Sequence, residues 1–329
     1  MINVKFLILG IGLSFSLSLI ILLFFKLISR HLPEFNSRNV PFLGGLTFAI
    51  AALASFSFYM KSAKLYVPVN FTVAVFFSFI VLFTEFLDDL REFSLGRKIF
   101  IQSSIFLLFL VFGGKVISIY IFPTWLNYLL TFLWLMGITN AFNHLDIADG
   151  LCGGVGLLIA LAFSVLALVL GSYSVFVFLV FLSASLFAFL MFNTYPAKIY
   201  MGNSGSHFLG FLFATISMNL DYAGEKFPYL VIIPLLILAV PIIDTAFLLY
   251  IRPRKKILPF KKSNDHIFMR LIRKGVSYRL CVSLFYLAAL AYISTAFLFY
   301  FFPFLGLFIF ATVLILTVFL LKNVLLGSE

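Results

Sequence analysis

Continuous apolar stretches dominate the chain, over residues 4–28, 42–60, 68–87, 99–112, 121–139, 150–170, 173–193, 205–220, 228–250, 280–301 and 303–322. A spanning helix needs about 20 such residues, whereas a spanning strand would alternate with a period of two. The pattern therefore predicts eleven transmembrane helices, with 99–112 and 205–220 the shortest. The first stretch is too long for the apolar core of a signal peptide, and no small-residue cleavage site follows it. It reads as a retained span.

Composition agrees: 63% hydrophobic residues, 11% charged residues and a mean hydropathy of +1.16 exclude a solvated globule. The expected fold is an all-α polytopic integral membrane protein. Charge then orients it. The connections after odd-numbered stretches, with Lys26 and Lys322, hold 18 of the 23 Lys and Arg, ten of them between Arg252 and Arg279. Only Lys5, Lys61, Lys64, Lys115 and Lys226 lie on the other face. By the positive-inside rule the N-terminus is outside and the C-terminus cytoplasmic. The net charge of +11 thus belongs to the cytoplasmic face, where it suits anionic headgroups and phosphorylated substrates. Nothing resembles a nucleic-acid module. Residues 1–329 read as one domain, since no soluble stretch exceeds that from Ile251 to Tyr278, too short to fold alone. Cys152 and Cys281 have no ligand or redox spacing and read as packing residues.

Four polar constellations interrupt this hydrocarbon. Asp88 and Asp89 end the third stretch, where the helix dipole disfavours negative charge, so they need a compensating cation or form a solvated acidic loop. Asn140, Asn143, Asp146 and Asp149 recur every three residues in NAFNHLDIADGLCGG. On a helix, Asn140, Asn143 and Asp146 would share a face, and hard oxygen donors without His or Cys suit Mg2+ or Mn2+; capping is the plainer alternative. The segment NTYPAKIYMGNSGSHFLGF puts Gly202, Ser204, Gly205 and Ser206 at a helix N-terminus, whose free N–H groups make an anion site unless the small residues serve close packing. The basic loop RPRKKILPFKKSNDHIFMRLIRKG sets His266 and Arg270 four apart, or is a charge run at headgroup level.

Taken together, the acidic pair, NxxNxxDxxDGL, MGxxGS and the basic His/Arg loop resemble the polyprenyl-phosphate N-acetylhexosamine-1-phosphate transferase superfamily, glycosyltransferase family 4. LPEFNSRNVPFLGG, which contains Arg38, resembles that family's basic and PxxGG segment. The resemblance covers nearly the whole chain and implies a bacterial cytoplasmic-membrane enzyme with its site on the cytoplasmic face. Such enzymes transfer a sugar 1-phosphate from a UDP-sugar to a polyprenyl phosphate such as undecaprenyl phosphate, releasing UMP, with Mg2+ as cofactor. The partners so implied are a UDP-sugar, the lipid phosphate and the membrane, with a homodimer left open and no nucleic acid. By the same carry-over Asp88 would act as base on the lipid phosphate with Asp89 its partner near the metal. Asn143 and Asp146 would hold diphosphate and metal, and Asp149, Asn193 and Tyr200 the uridine. Arg38, His266 and Arg270 would contact phosphate or sugar.

Two departures stand out. The family carries MGD where this chain reads MGN, so Asn203 takes the place of a metal-binding aspartate, and lost ligand charge weakens binding of hard cations. In DHIFMRL only the first His of the family's His-rich motif remains. The absent HHH signature argues against a MurNAc-pentapeptide substrate and for a WecA-like enzyme using UDP-GlcNAc or a related UDP-HexNAc. The rival readings are a catalytically impaired scaffold, motivated by Asn203, and an ion-coupled transporter, which would place its carboxylates near the midplane.

Overall fold

The computed structural model describes residues 2–29, 35–37, 40–119, 122–222, 228–254 and 265–326, and each of the eleven apolar stretches falls on helix. The chain forms two compact units, Met1–Asp221 and Tyr222–Glu329.

The first unit holds α1 (Val4–Ile28), a two-residue hairpin of β1 (Asn36–Ser37) and β2 (Val40–Pro41), α2 (Gly44–Ala63), α3 (Val69–Arg91), α4 (Leu95–Val111), α5 (Thr124–Leu145), α6 (Leu151–Val169), α7 (Tyr173–Asn193) and α8 (Gly202–Asn219). Hydrophobicity alone does not say which face of such helices meets protein. Small and polar residues do. On α1 the buried positions are Gly10, Ser14, Ser18 and Leu22, one every four residues. Ser14 Oγ donates to Phe181 O at 2.8 Å and Ser18 Oγ to Ser185 O at 3.1 Å, which docks α1 on α7.

At the centre stands α8, buried at every residue from Ser204 to Met218 and packed by α2, α3 and α5. Glycine permits this enclosure. A Cβ on Gly45 would lie 2.4 Å from Gly205 Cα, and one on Gly210 would lie 2.7 Å from Thr139 Cα. These contacts bring helix backbones together as small residues do in membrane bundles.

The second unit starts with a 3-10 turn (Pro228–Ile232) and continues through α9 (Ile233–Ile237), α10 (Ala239–Arg254), α11 (Ile267–Arg273), α12 (Tyr278–Phe301) and α13 (Pro303–Leu326). The apolar stretch 228–250 is not one straight helix but bends by 75° after Ile237. Pro241 has no N–H for the carbonyl of Ile237, so the hydrogen-bond ladder breaks there. α12 packs along α13, with Tyr292 Oη and Thr317 Oγ1 2.8 Å apart. Both cysteines are buried and free, Cys152 on α6 and Cys281 on α12, as packing residues are.

Among the described residues seven helices are long and apolar enough to cross a membrane, or eight if the bent pair is one span. The protein is therefore an all-α, multi-pass membrane protein.

Candidate active site

The acidic end of α3 meets the N-terminus of α8. Asp88, only 2% exposed, accepts from Phe93 N–H at 2.8 Å through Oδ1. Its Oδ2 takes Lys98 Nζ at 2.6 Å and Asn203 Nδ2 at 3.1 Å. Lys98 is thus the compensating cation that the carboxylate pair requires. Asp89 is satisfied differently, by the backbone N–H of Asn203 on Oδ1 (2.9 Å) and of Ser204 on Oδ2 (3.0 Å). The anion site expected at the start of α8 is therefore occupied by the chain's own carboxylate, a contact favoured by the helix dipole.

Gly202 makes this approach possible. Its φ of +76° suits glycine, and a Cβ there would sit 2.8 Å from Asp89 Oδ2 and 2.6 Å from Phe42 O. The PxxGG segment braces the same turn: Tyr200 N–H donates to Pro41 O at 2.7 Å, Gly44 N–H to Tyr200 O and Gly45 N–H to Met201 O, both at 2.9 Å.

The second acidic group corrects the expectation of one helical face. α5 ends at Leu145 with Asp146 as its C-cap, and Gly150, at φ +79°, completes the turn into α6. Only Asn140 and Asn143 are helical, and they diverge in use. Asn140 Nδ2 donates to Gln102 Oε1 at 3.3 Å. Asn143 Oδ1 accepts from Ser206 Oγ at 3.4 Å, which ties α5 to α8. Asp149 Oδ2 accepts Ala197 N–H at 2.9 Å. Asn193 accepts from Gly150 N–H (3.0 Å) and donates to Ile199 O (2.9 Å), so the two residues clip the loops before α6 and α8 together. Tyr200 is half-buried on the second of these loops.

Asp146 stands apart from these satisfied groups. Desolvation, then the charges of Asp89 and Asp149, push its pKa up to about 7. A carboxylate so placed is short of positive charge. The donor set is hard oxygen: Asp146, Asp89 and the Asn203 amide oxygen, left over when Nδ2 faces Asp88. Among the described residues no three His, Cys, Asp or Glu form a ready cage. Hard oxygen donors of this kind suit a Mg2+-like cation, which takes one or two carboxylates and completes its shell with water and substrate phosphates.

In the second unit the polar residues satisfy one another. His266 Nδ1 lies 2.8 Å from Asp244 Oδ2, and Ile267 N–H donates to Asp244 Oδ1 at 3.1 Å. Arg270 donates through Nε to Asp265 O at 3.2 Å and pairs with Asp265 Oδ1 at 3.4 Å. Arg252, fully buried, feels both carboxylates. Arg38 lies outside the described residues. Sequence reasoning passed over Glu85, Gln102, His207 and Asp244, all buried. The signal was available, because a polar or ionisable residue inside an apolar run is costly and calls for a role.

Residues 71–221 match Glycosyl transferase family 4. The chain is 32% identical over 259 residues to the probable undecaprenyl-phosphate N-acetylglucosaminyl 1-phosphate transferase of Bacillus subtilis (strain 168), covering 77% of this chain and 71% of that protein. It is 27% identical over 278 residues to the undecaprenyl-phosphate alpha-N-acetylglucosaminyl 1-phosphate transferase of Escherichia coli (strain K12), covering 78% and 72%. A phospho-N-acetylmuramoyl-pentapeptide-transferase of Streptococcus pneumoniae serotype 19F (strain G54) is 34% identical over a shorter 196 residues, 55% of this chain and 60% of that protein. The two longer matches reach well beyond the site, and with the carboxylates of α3 gathered on the MGN turn they establish that the chain belongs to glycosyl transferase family 4, on its WecA-like side.

Proposed function

We propose that this protein transfers N-acetylglucosamine 1-phosphate from UDP-N-acetylglucosamine to undecaprenyl phosphate in the bacterial cytoplasmic membrane. The observation that carries the reading is the convergence of Asp88 and Asp89 on Asn203 and Ser204, with the charge of Asp89 felt at Asp146, in a chain of this family. An oxygen of the lipid phosphate bonds to the sugar-bearing phosphorus, the pyrophosphate P–O bond breaks, and UMP leaves. Bringing two anions together is a problem of positioning and charge.

The residues divide the work. Asp88, anchored by Lys98, Asn203 and Phe93 N–H, would act as the base on the lipid phosphate, as the resemblance implies. Asp146, Asp89 and the Asn203 amide oxygen would hold Mg2+, which supplies neutralisation of pyrophosphate charge when bound. Asn143 contacts the diphosphate, while the Tyr200 ring offers a face to uracil within loops clipped by Asp149 and Asn193. Arg38 joins the phosphate contacts by resemblance. For His266 and Arg270, engaged by Asp244 and Asp265, the geometry of their own unit supports a holding role, and mutation tests the phosphate or sugar contact that the resemblance implies.

Eleven spans, an outside N-terminus and a cytoplasmic site complete the proposal, supported by the asymmetry of Lys and Arg. The test combines purified protein, Mg2+, UDP-N-acetylglucosamine and undecaprenyl phosphate. UMP release that requires both the lipid phosphate and Mg2+ is the expected result. A folded protein that binds the UDP-sugar and releases no UMP overturns the reading.

A further inference from the structure

One helical turn deeper than the carboxylate pair, a second polar rung crosses four helices. Glu85 lies three residues before Asp88 on the same face of α3, and His207 four residues after Asn203 on α8. Both are buried, at 4% and 3% exposure. Asn140 Nδ2 donates to Gln102 Oε1 at 3.3 Å, and Gln102 Nε2 donates to Glu85 Oε1 at 2.8 Å. Among the described residues Glu85 Oε2 has no hydrogen-bond partner, and His207 Nδ1 is the cation-capable atom beside it, at 3.6 Å. The same Nδ1 lies 2.8 Å from Asn203 O. Both neighbours of Nδ1 are acceptors, a carbonyl and a carboxylate, so Nδ1 carries the hydrogen.

We propose that Glu85 and His207 are a positioning pair for the transfer reaction, fixing Asn203 from below so that its amide and backbone N–H stay on Asp88 and Asp89. Asn203 is the link. Its side chain donates to Asp88 and its N–H to Asp89, while its carbonyl accepts from His207. Neither Glu85 nor His207 touches the reacting atoms; each acts through this residue. An acid and an imidazole within an apolar bundle are costly, and an unsatisfied carboxylate oxygen aimed at the imidazole gives that cost a direction.

This inference rests on the transfer activity proposed above, so its test carries a readout that needs no turnover. His207→Phe keeps a ring and removes the donor; His207→Asn restores a donor near the Nδ1 position; Glu85→Gln keeps an acceptor for Gln102 and removes the charge. Expected is a fall in kcat of about tenfold or more for His207→Phe, with KM for the UDP-sugar within about twofold of the parent. His207→Asn should recover most of it, and Glu85→Gln combined with His207→Phe should be no worse than His207→Phe alone. Hydrogen exchange supplies the independent readout: peptides covering residues 200–206 should exchange about tenfold faster in His207→Phe while α13 peptides are unchanged. Should His207→Phe fail to fold, the near-isosteric Glu85→Gln carries both measurements. Unchanged exchange at 200–206 with parental kcat overturns the pair, as do effects that multiply in the double variant. Faster exchange at 200–206 in His207→Phe, where the parent itself shows no transfer, keeps the contact of the pair with Asn203 and discards the activity.

Discussion

The buried carboxylates of the second unit and the Asp89–Asp146 group of the first are handled in opposite ways. In the second unit Asp244 and Asp265 each meet cation-capable partners, His266 for one and Arg270 for the other, with Arg252 near both. In the first, Asp88 takes Lys98, but Asp89 rests on backbone N–H groups, and Asp146 lies in the field of Asp89 and Asp149. A buried charge that is matched within the chain serves the fold. A cluster left negative is open to something brought in from outside, on the proposed reading a cation and phosphates. Conserving shape while removing charge should therefore affect catalysis in one unit and stability in the other.

The largest effect expected is that of Asp146→Asn, which should lower transfer by orders of magnitude, as removing one member of a catalytic group does. Because the change also relieves repulsion from Asp89 and Asp149, unfolding in detergent should occur at the same temperature or higher. Parental turnover in this variant would discard the cation assignment. The opposite signature belongs to Asp244→Asn. Loss of a buried charged partner from His266 and Ile267 N–H should cost about 2 to 3 kcal/mol, read in equilibrium unfolding. If Asp244→Asn leaves stability unchanged and abolishes UDP-sugar binding, the contrast between the units fails.

Why the second unit's pairing escaped sequence reasoning follows from how hydropathy works. Summed apolar content found all eleven stretches that prove helical, since one polar residue barely changes a twenty-residue sum. That dilution is also what hid Glu85, Gln102, His207 and Asp244. The break after Ile237 was legible in Pro241, yet a hydropathy sum carries no term for a missing N–H. Likewise Gly150 announced the end of α5, so Asp146 and Asp149 belong to a turn and not to a helical stripe. The start of α8 was legible from its Gly and Ser residues as an anion site, but the anion that fills it was not. That Asp89 fills the N-terminus of α8 depends on a contact between positions 89 and 203, which no local pattern encodes.

A smaller effect is expected at the proposed uridine pocket, where the comparison sharpens to one ring. Tyr200 contributes its backbone N–H and carbonyl to the brace with Pro41 and Gly44, and these contacts survive side-chain substitution. Stacking of a base on an aromatic ring is worth about 1 to 3 kcal/mol in single-strand nucleic-acid binders. Tyr200→Ala should thus weaken UDP binding about tenfold, with Tyr200→Phe close to the parent, measured by calorimetry. Equal affinities across all three would move the uracil elsewhere.

The smallest expected shift, and the one that most directly probes the uncompensated charge of the first unit, is at Asn203. Its Nδ2 donates to Asp88 Oδ2 at 3.1 Å, so Asn203→Asp replaces a donor by a carboxylate facing a carboxylate. Without a cation that contact is repulsive, and the variant should unfold more easily than the parent. With a cation between them the added charge becomes a ligand, and charge count tunes affinity for hard cations. The two effects have opposite signs in the same protein. Mg2+ should restore the lost stability of the variant and half-saturate it at a concentration several-fold below that of the parent, read by thermal unfolding across a Mg2+ titration and by transfer activity. A variant that is destabilised alike with and without Mg2+ would remove residue 203 from the cation site, leaving Asn203 solely as the donor that fixes Asp88.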